Sequence, residues 1–453
     1  METLISAYQL IHEGVEALAE VEEAGMRIDV PYLKQAIADT SSKIKVLESE
    51  LKGMEEYTLQ RKRFGLKTNL TSRQQLAKVL YEDMDHRSTT TTASGRVKLD
   101  ETALSQVGTP YTTKFLELEK NRKLEGTYLK GVLRETEDGY LHPFFNLHLA
   151  TTYRSSSNQI NFQNIPIRDP AFAEIIRSAF IPRDGHVLVE TDYAALEFRV
   201  AACFWKDPAM VSYASNPDKD IHRDVAAEIF ICDRDEVNKK ARYCGKNMFV
   251  FPQIYGDFYI NNAKNCWEAM ESMDLKVGAV PMKGWLENKG IRELGECDTR
   301  RPPRRTSFER HMKDVEKRFY EWFPDFKKSK EVWWAQYKQK GYFDVMTGFR
   351  VSGVYRRNYV FNCPIQGPAF HLLLWSLTRM VRWLKKQRMR TKIIGQIHDS
   401  IVADVYEPEL DDYIAKAREV MTVDVRKRYD WIITPMDIEV EVARENWFHK
   451  QAI

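Results

Sequence analysis

Between Tyr32 and Tyr57 apolar side chains recur at Leu33, Ile37, Ile44, Leu47, Leu51 and Met54, with charged residues between them. Intervals of three, four and seven residues put these positions on one stripe and predict a single long amphipathic helix over the segment. Ser72, followed three residues on by Gln75, has the form of a capping box and predicts a second helix start. The polar stretch STTTTASGRVK from Ser88 to Lys98 reads on composition as a solvated linker. The first part of the chain is therefore expected to be helical, with one loose tip.

The pattern changes after Asp184-Gly185. HVLVETD, from His186 to Asp192, is a short strand-forming run that leads straight into AALEFRVAA, a helical stretch. KIIGQIHDSIVADV, from Lys392 to Val405, reads as two apolar strands folded back on each other around His398-Asp399, and MDIEVEV, from Met436 to Val442, alternates as a third strand. Strands that are few, late and separated by long helical insertions predict an α+β protein whose antiparallel sheet is covered by helices, not an alternating βαβ series. The segment from Asp257 to Thr306 is irregular in pattern and ends in RRPPRRT, which suggests an insertion with a basic edge. Its arginines either grip a nucleic-acid backbone or are merely solvated.

A chain of 453 residues has room for two or three lobes with at least one large core. With 43% hydrophobic and 29% charged residues, and only 17 Pro and 21 Gly, it is neither disordered nor collagenous. Lys and Arg number 68 against 65 Asp and Glu, so the net charge of +3 neither demands nor forbids a polyanionic partner. The six cysteines never approach CxxC spacing, which argues against a zinc knuckle or a disulfide lattice and fits a reducing compartment. The N-terminus is amphipathic and acidic, without the basic and apolar regions of a signal peptide, and no long apolar run occurs. A cytoplasmic protein without membrane contact is the expectation.

Two aspartates stand out by position. Asp192 closes one predicted strand and Asp399 sits at the turn of a hairpin more than two hundred residues later. Alone, the first is an ordinary N-cap and the second an ordinary turn former. On neighbouring strands of one sheet their carboxylates would converge and repel, and hard divalent cations such as Mg²⁺ would relieve that repulsion. Two such ions about 4 Å apart can activate an attacking hydroxyl and neutralise a leaving phosphate. A second cluster is RYCGKNMFVFPQIYG, from Arg242 to Gly256. Arg242 and Lys246 share one helix face and suit a triphosphate, while Phe251 and Tyr255, again four apart, offer flat surfaces. Each pair read singly is a basic surface pair over buried aromatics. Pro252 should kink or end that helix.

Together these residues resemble DNA polymerases of family A, the DNA polymerase I type, over nearly the whole chain from EAGMRIDVPYL (Glu23 to Leu33) to the terminal EVEVARENW. TTYRSSSNQINFQNIP (Thr151 to Pro166) resembles the family's TGRLSS and PNLQNIP segments, and DYAALEFR (Asp192 to Arg199) its motif A. Arg242 and Lys246 with Phe251, Tyr255 and Gly256 resemble motif B, NCPIQG (Asn362 to Gly367) the NxPxQG segment, and QIHDS (Gln396 to Ser400) motif C. The resemblance implies a right-hand fold: palm at 1–29, 131–205 and 366–453, helical thumb at 30–130, and helical fingers at 206–365 with an insertion at about 257–306.

It further implies template-directed DNA synthesis from deoxynucleoside triphosphates on primer-template DNA, with two Mg²⁺, or Mn²⁺ in their place, held by Asp192, Asp399 and the Tyr193 carbonyl. Arg242, Lys246 and His222 would bind the triphosphate, with Lys246 as general acid for pyrophosphate. Glu197 would exclude a ribose 2′-OH, Phe251 would lie on sugar and base, and Tyr255 and Gly256 would sit where the templating base enters. Arg154, Asn161, Gln163, Asn164, Asn362, Gln366 and His398 would touch primer and template, largely in the minor groove where acceptors repeat in every pair. In the thumb segment RKLEGTYL, Glu125 stands where the family has lysine, so Arg122 and Lys123 are expected to take the backbone contact.

Two more positions depart from the family pattern. Ser400 replaces the glutamate of motif C, leaving two carboxylates, and Asn247 occupies the register of the motif B lysine, with Lys246 one residue earlier. A one-residue helical bulge near Pro252 would restore the direction of Lys246. The family's core begins near the N-terminus of this chain, so the resemblance implies a compact, phage- or virus-like enzyme without a 3′-5′ exonuclease domain. A single-subunit RNA polymerase, a non-catalytic DNA-binding remnant of the fold and a two-metal nuclease are the competing readings; any separate exonuclease or processivity partner is not legible.

Overall fold

The central sheet has five strands: β1 (His186–Tyr193), β2 (Lys392–Ile397), β3 (Ser400–Tyr406), β4 (Ile438–Ala443) and β5 (Gln451–Ala452). Their spatial order is β2-β3-β1-β4-β5, and every neighbouring pair is antiparallel. The computed structural model describes residues 2–86, 99–158, 160–167 and 169–453. The helices that build the site are α1 (Leu4–Ala24), α2 (Val30–Lys52), α3 (Pro110–Lys123), α4 (Leu196–Trp205), α5 (Ile221–Phe230), α6 (Lys239–Cys244), α7 (Phe251–Ile254) and α8 (Arg357–Gln387). None of the described helices is long and apolar enough to cross a membrane. All six cysteines are free thiols.

β2 and β3 are buried almost throughout, on both faces, which is why their sequence is a continuous apolar run and not an alternation. The helix α8 spans 31 residues and buries Leu372, Leu373, Leu374, Leu377 and Met380 in the main core. α1 packs against α8 at Gly14, where a Cβ would come within 2.7 Å of the Leu374 side chain. Elsewhere the sheet is covered by Phe162, which stacks on Trp447 at 5.3 Å between ring centroids, with Phe180 edge-on to Trp447 at 5.4 Å. Gly395 in β2 makes room for that ring: a Cβ there would meet Phe162 at 2.7 Å.

A second, smaller core joins Ile44, Leu47 and Leu51 of α2 to Leu76, Leu80 and Leu104 and to Tyr111, Phe115 and Leu118 of α3. Leu33 and Ala36, at the start of α2, belong to the main core. One helix therefore runs from one core into the other. The single helix expected from Tyr32 to Tyr57 is in fact two, because α2 stops at Lys52 and Met54 turns extended before Glu55–Phe64 begins with Glu55 and Glu56 in its first turn. Gly53 interrupts the first helix, and an acidic first turn favours a new N-terminus. Ser72 does cap the next helix, accepting from Gln75 N at 3.3 Å, but the Gln75 side chain turns to Gln60, Asn69 and Lys67, so only half the capping box forms. The expected linker from Ser88 to Lys98 lies outside the described residues.

The Asp257–Thr306 segment is more regular than its composition suggested. It holds helices Tyr259–Ser272 and Met282–Asn288 and a short hairpin of Lys276–Val277 with Val280–Pro281. Its basic edge is largely paired within itself: Arg300 with Asp298 at 2.9 Å, Arg301 with Glu296 at 3.1 Å, Arg304 with Glu296 at 3.3 Å.

Replacing Gly395 by Ala is expected to push Phe162 off the sheet and cost about 1–3 kcal/mol by chemical denaturation. An unchanged stability would show that the Phe162 ring can retreat without loss.

Candidate active site

Asp192 lies in the middle strand of the sheet, opposite Ser400 on one side and Glu439 on the other. The β2–β3 turn is two residues long, with His398 in the left-handed region at φ +50°. That conformation aims the Asp399 carbonyl at β1, where it accepts the Tyr193 N–H at 3.2 Å. The Asp192 and Asp399 side chains consequently meet and share a hydrogen bond. Burial, then the charges of Asp399, Glu190 and Glu439, push the Asp192 carboxyl far above the ordinary carboxylate range. Two half-buried carboxyl groups brought together, offering only hard oxygens together with the backbone at Tyr193, fit a divalent cation of the Mg²⁺ type. Among the described residues no group of three or more His, Cys, Asp or Glu side chains is arranged around one ion. Any further ligands would come from backbone, water or substrate.

α4 starts immediately after Asp192-Tyr193, with Ala195 in the left-handed region at φ +52° as its N-cap. Arg199 pins this start by donating to the Ala194 carbonyl at 2.9 Å, the Ala214 carbonyl at 2.8 Å and the Pro435 carbonyl at 2.5 Å. Glu197, in the first turn, accepts the Tyr255 hydroxyl and lies 3.5 Å from Arg154. Burial holds the Glu197 carboxyl above its usual range. Tyr255 also hydrogen-bonds Gln366 of α8.

The Arg242–Gly256 segment is not one regular helix. Between α6 and α7, residues Gly245–Val250 form a π-helical turn in which Phe251 N–H bonds the Lys246 carbonyl, five residues back. The expected bulge is present, just ahead of Pro252. Pro252 has no N–H to give the Met248 carbonyl four residues earlier, and Asn262 Nδ2 takes its place at 2.8 Å. The extra residue turns Lys246 inward: its Nζ lies 5.6 Å from the centre of the Phe251 ring, and its charge acts on His222 and Glu197. Asn247 instead lines a cleft of about 1410 Å³ that reaches Asp39, Lys43, Lys120 and Asn121 of α2 and α3. Phe251 and Tyr255 stack almost parallel at 5.9 Å, as their four-residue spacing required.

Other expected residues take varied positions. Arg242 is held by Asp220, Nε to Oδ2 at 2.6 Å. His222 is only 3% exposed, lies 5.6 Å from the Phe251 ring, and its Nδ1 has no partner. Gln163 Nε2 donates to Ser155 Oγ at 2.8 Å and Gln396 Oε1 at 2.9 Å, which links the Phe162–Asn164 turn to β2. Asn161 precedes that turn, Asn164 ends it, and both are exposed. Asn362 has a buried, unpartnered Oδ1. Gly256, at φ +89°, admits no side chain, since a Cβ would sit 2.5 Å from Phe361. Arg122 and Lys123 end α3, away from the aspartates, and Arg122 is paired to Glu48 at 2.5 Å. Glu125 pairs with Lys130 at 2.9 Å. The sequence reading missed Arg199, Ser155, Gln396 and Glu190. Arg199, Ser155 and Gln396 lie inside the motifs and were legible as neighbours of named residues, whereas Glu190 gave no signal of its own.

Burial, then the charges of Lys246 and Arg242, lower His222 from 6.5 to about 3. Between those values the unfolded chain binds a proton that the folded one refuses, so stability falls as pH drops through that window. The loss from this group is at most about 1.4 kcal/mol per pH unit. Urea unfolding at pH 7, 6 and 5 is expected to show a shallower decline for His222→Phe than for wild type; parallel declines would contradict it.

The family model for DNA polymerase family A matches residues 32–266 and 308–449, leaving out the stretch that contains most of the insertion. The chain is 25% identical over 463 residues to the thermostable DNA polymerase I of Thermus aquaticus, covering 98% of this chain and 49% of that protein. It is 27% identical over 425 residues to DNA polymerase I of Lactococcus lactis subsp. cremoris (strain MG1363), covering 90% and 42%. The chain thus spans about half the length of the curated relatives it matches. Its fold is shared with the POL domain of Pol1 from M. smegmatis, solved in complex with DNA primer-template and dNTP, at a TM-score of 0.76, 24% identity, 97% of this chain and 70% of that one. With the paired aspartates and the inward-turned basic helix in one site, and a family match over most of its length, the chain belongs to DNA polymerase family A.

Proposed function

We propose that this chain is a DNA-directed DNA polymerase that adds deoxynucleotides to a primer 3′-OH on a template. The observation that carries the reading is the contact between Asp192 and Asp399 on one face of the sheet, beside Glu197 and below the Lys246 turn. Support comes from the family, and from a neighbour of the same fold that was solved with primer-template and dNTP. In this reading the sheet and its flanking segments (1–29, 131–205, 366–453) are the palm, residues 30–130 the thumb and 206–365 the fingers. The separate core of α2 and α3 fits a lobe able to move on its own.

Asp192 and Asp399, with the Tyr193 carbonyl, would hold two Mg²⁺, which supply Lewis-acid activation of the primer hydroxyl and charge neutralisation at the phosphates. In this reading Lys246 and Arg242 bind the triphosphate, and Lys246 gives a proton to departing pyrophosphate. His222, neutral and buried beneath Phe251, offers an imidazole nitrogen to the same phosphates once the Phe251 ring moves. The Phe251 and Tyr255 rings form the wall against which sugar and base lie. Glu197, tied to Tyr255 and near Arg154, fills the space a ribose 2′-OH would need. Gln163, Gln396, Arg154 and Gln366 form a polar floor for the end of the primer-template duplex, where paired bases present repeating acceptors. These residues are further read as extending without editing.

Primer extension with Mg²⁺ tests the reading. Asp192→Ala and Asp399→Ala are each expected to lower the rate by roughly 10³-fold or more, and Lys246→Ala by roughly 10²-fold or more. Retention of full activity by either aspartate variant would overturn the mechanism. Glu197→Ala is expected to narrow the preference for deoxy- over ribonucleotides, and ribonucleotide incorporation by wild type at equal rate would favour an RNA polymerase. A mismatched 3′ end is expected to survive incubation with Mg²⁺.

A further inference from the structure

The sheet face that carries Asp192 is crowded with acid. Glu190 precedes Asp192 by two residues on β1 and so points the same way, while β4 sets Glu439 opposite Asp192 and Glu441 opposite Glu190. One cation from the end of the chain enters this group. Lys450 Nζ lies 2.7 Å from Glu190 Oε2 and 2.5 Å from Glu441 Oε2. Trp447 Nε1 donates to the same Glu190 oxygen at 3.0 Å, and Ser400 Oγ, whose one proton is shared with the Ile397 carbonyl at 3.0 Å, lies 3.2 Å from the other. Both oxygens of Glu190 are thereby engaged, one by the chain end and one by the residue that follows Asp399.

The chain end is itself firmly seated. Trp447 is fully buried, stacks on Phe162, carries the Arg177 guanidinium 4.0 Å over its ring, and gives its backbone N–H to the Phe180 carbonyl at 2.9 Å. Lys450 and Glu190 are each only 13% exposed along their side chains. A buried ion pair of this kind is weak evidence of stabilisation, because desolvation offsets most of its attraction. Its unavoidable effect is electrostatic: it cancels a negative charge about 7 Å, two strand residues, from Asp192.

We propose that Lys450 is a positioning residue that sets the affinity of the Asp192–Asp399 pair for divalent cations, by neutralising Glu190 and holding it against Ser400. The inference rests on the reading of that pair as a cation site. Neither Lys450 nor Glu190 touches the reacting groups. The site works with two carboxylates while a third stands beside them, held back by the chain end.

Mn²⁺ binding to the protein without DNA or nucleotide, read as loss of the free-ion electron paramagnetic resonance signal, tests this without recourse to activity. Wild type and Asp192→Ala establish the site: binding is expected in the first and lost in the second. Lys450→Met is expected to tighten Mn²⁺ binding roughly 4- to 15-fold, because one negative charge is uncovered near a divalent ion, and Glu190→Gln to weaken it by a similar factor. The double variant Glu190→Gln/Lys450→Met restores the charge balance and is expected within about two-fold of wild type, as is Lys450→Arg. Glu190→Gln keeps the partners of Trp447 and Ser400, so it carries the test if Lys450→Met does not fold. Single variants that shift affinity in the same direction, or not at all while Asp192→Ala abolishes binding, would overturn the role of Lys450 and leave the cation site standing. Wild type without Asp192-dependent Mn²⁺ binding would remove the cation site and the inference with it.

Discussion

Two carboxyl groups are forced into contact at the C-terminal end of β1, and the rest of the structure is arranged around that unfavourable fact. Like charges this close and this buried cannot both ionise unaided, so Asp192 is driven toward its neutral form in the absence of a cation. Such an arrangement persists only because the sheet over-determines it. β1 is fixed between β3 and β4 by a continuous register, and the Asp399 carbonyl is bonded to Tyr193. Positive charge placed beside the pair would favour the ionised form of both carboxyls.

Several elements near the pair supply counter-charge or fix its position, against the further acid of Glu190 and Glu439. Arg199 anchors the chain where it leaves β1, so that Asp192 cannot turn away. Lys450 compensates Glu190 and Glu441 from the far side of the same face. Lys246 reaches the space beside Glu197 from the helical region through a π turn, which costs a regular hydrogen-bonding pattern over one turn. The Met248 carbonyl released by Pro252 is recovered by Asn262, and Asn262 is in turn bonded by Gln253 at 2.7 Å, so that carbonyl is not left stranded. Gly245 allows the same turn to lie against α5, where a Cβ would meet the His222 carbonyl at 2.3 Å.

The division into two cores gives the molecule its mechanical character. α2 contributes Leu33 and Ala36 to the large core and Ile44, Leu47 and Leu51 to the small one, so it joins the two. The cleft between α2, α3 and the Arg242–Gly256 segment is walled by residues of both sides, with Asp39, Lys43 and Lys120 facing Tyr243 and Asn247. Motion of the small lobe about the first turn of α2 would widen or narrow that cleft without disturbing the aspartate pair, which is built wholly from the sheet.

Local pattern was sufficient for the strands, because their apolar runs and the turn at His398-Asp399 are short-range signals, and the four strands read from sequence appear within two residues of their ends. The order of motifs also named the family, and the displaced lysine together with Pro252 pointed to a helical irregularity. The break at Gly53 was missed because the apolar stripe continues through it: Met54 still packs on the small core from an extended residue. The regularity of the insertion was missed because its helices are short and its charges compensate one another only in space. Most of all, the sequence alone did not decide which carboxylates and cations share a face. Glu190, Ser400 and Lys450 lie up to 260 residues apart, and only the register of antiparallel strands makes them neighbours. Charge interactions depend on distance through space, and the fold alone sets that distance.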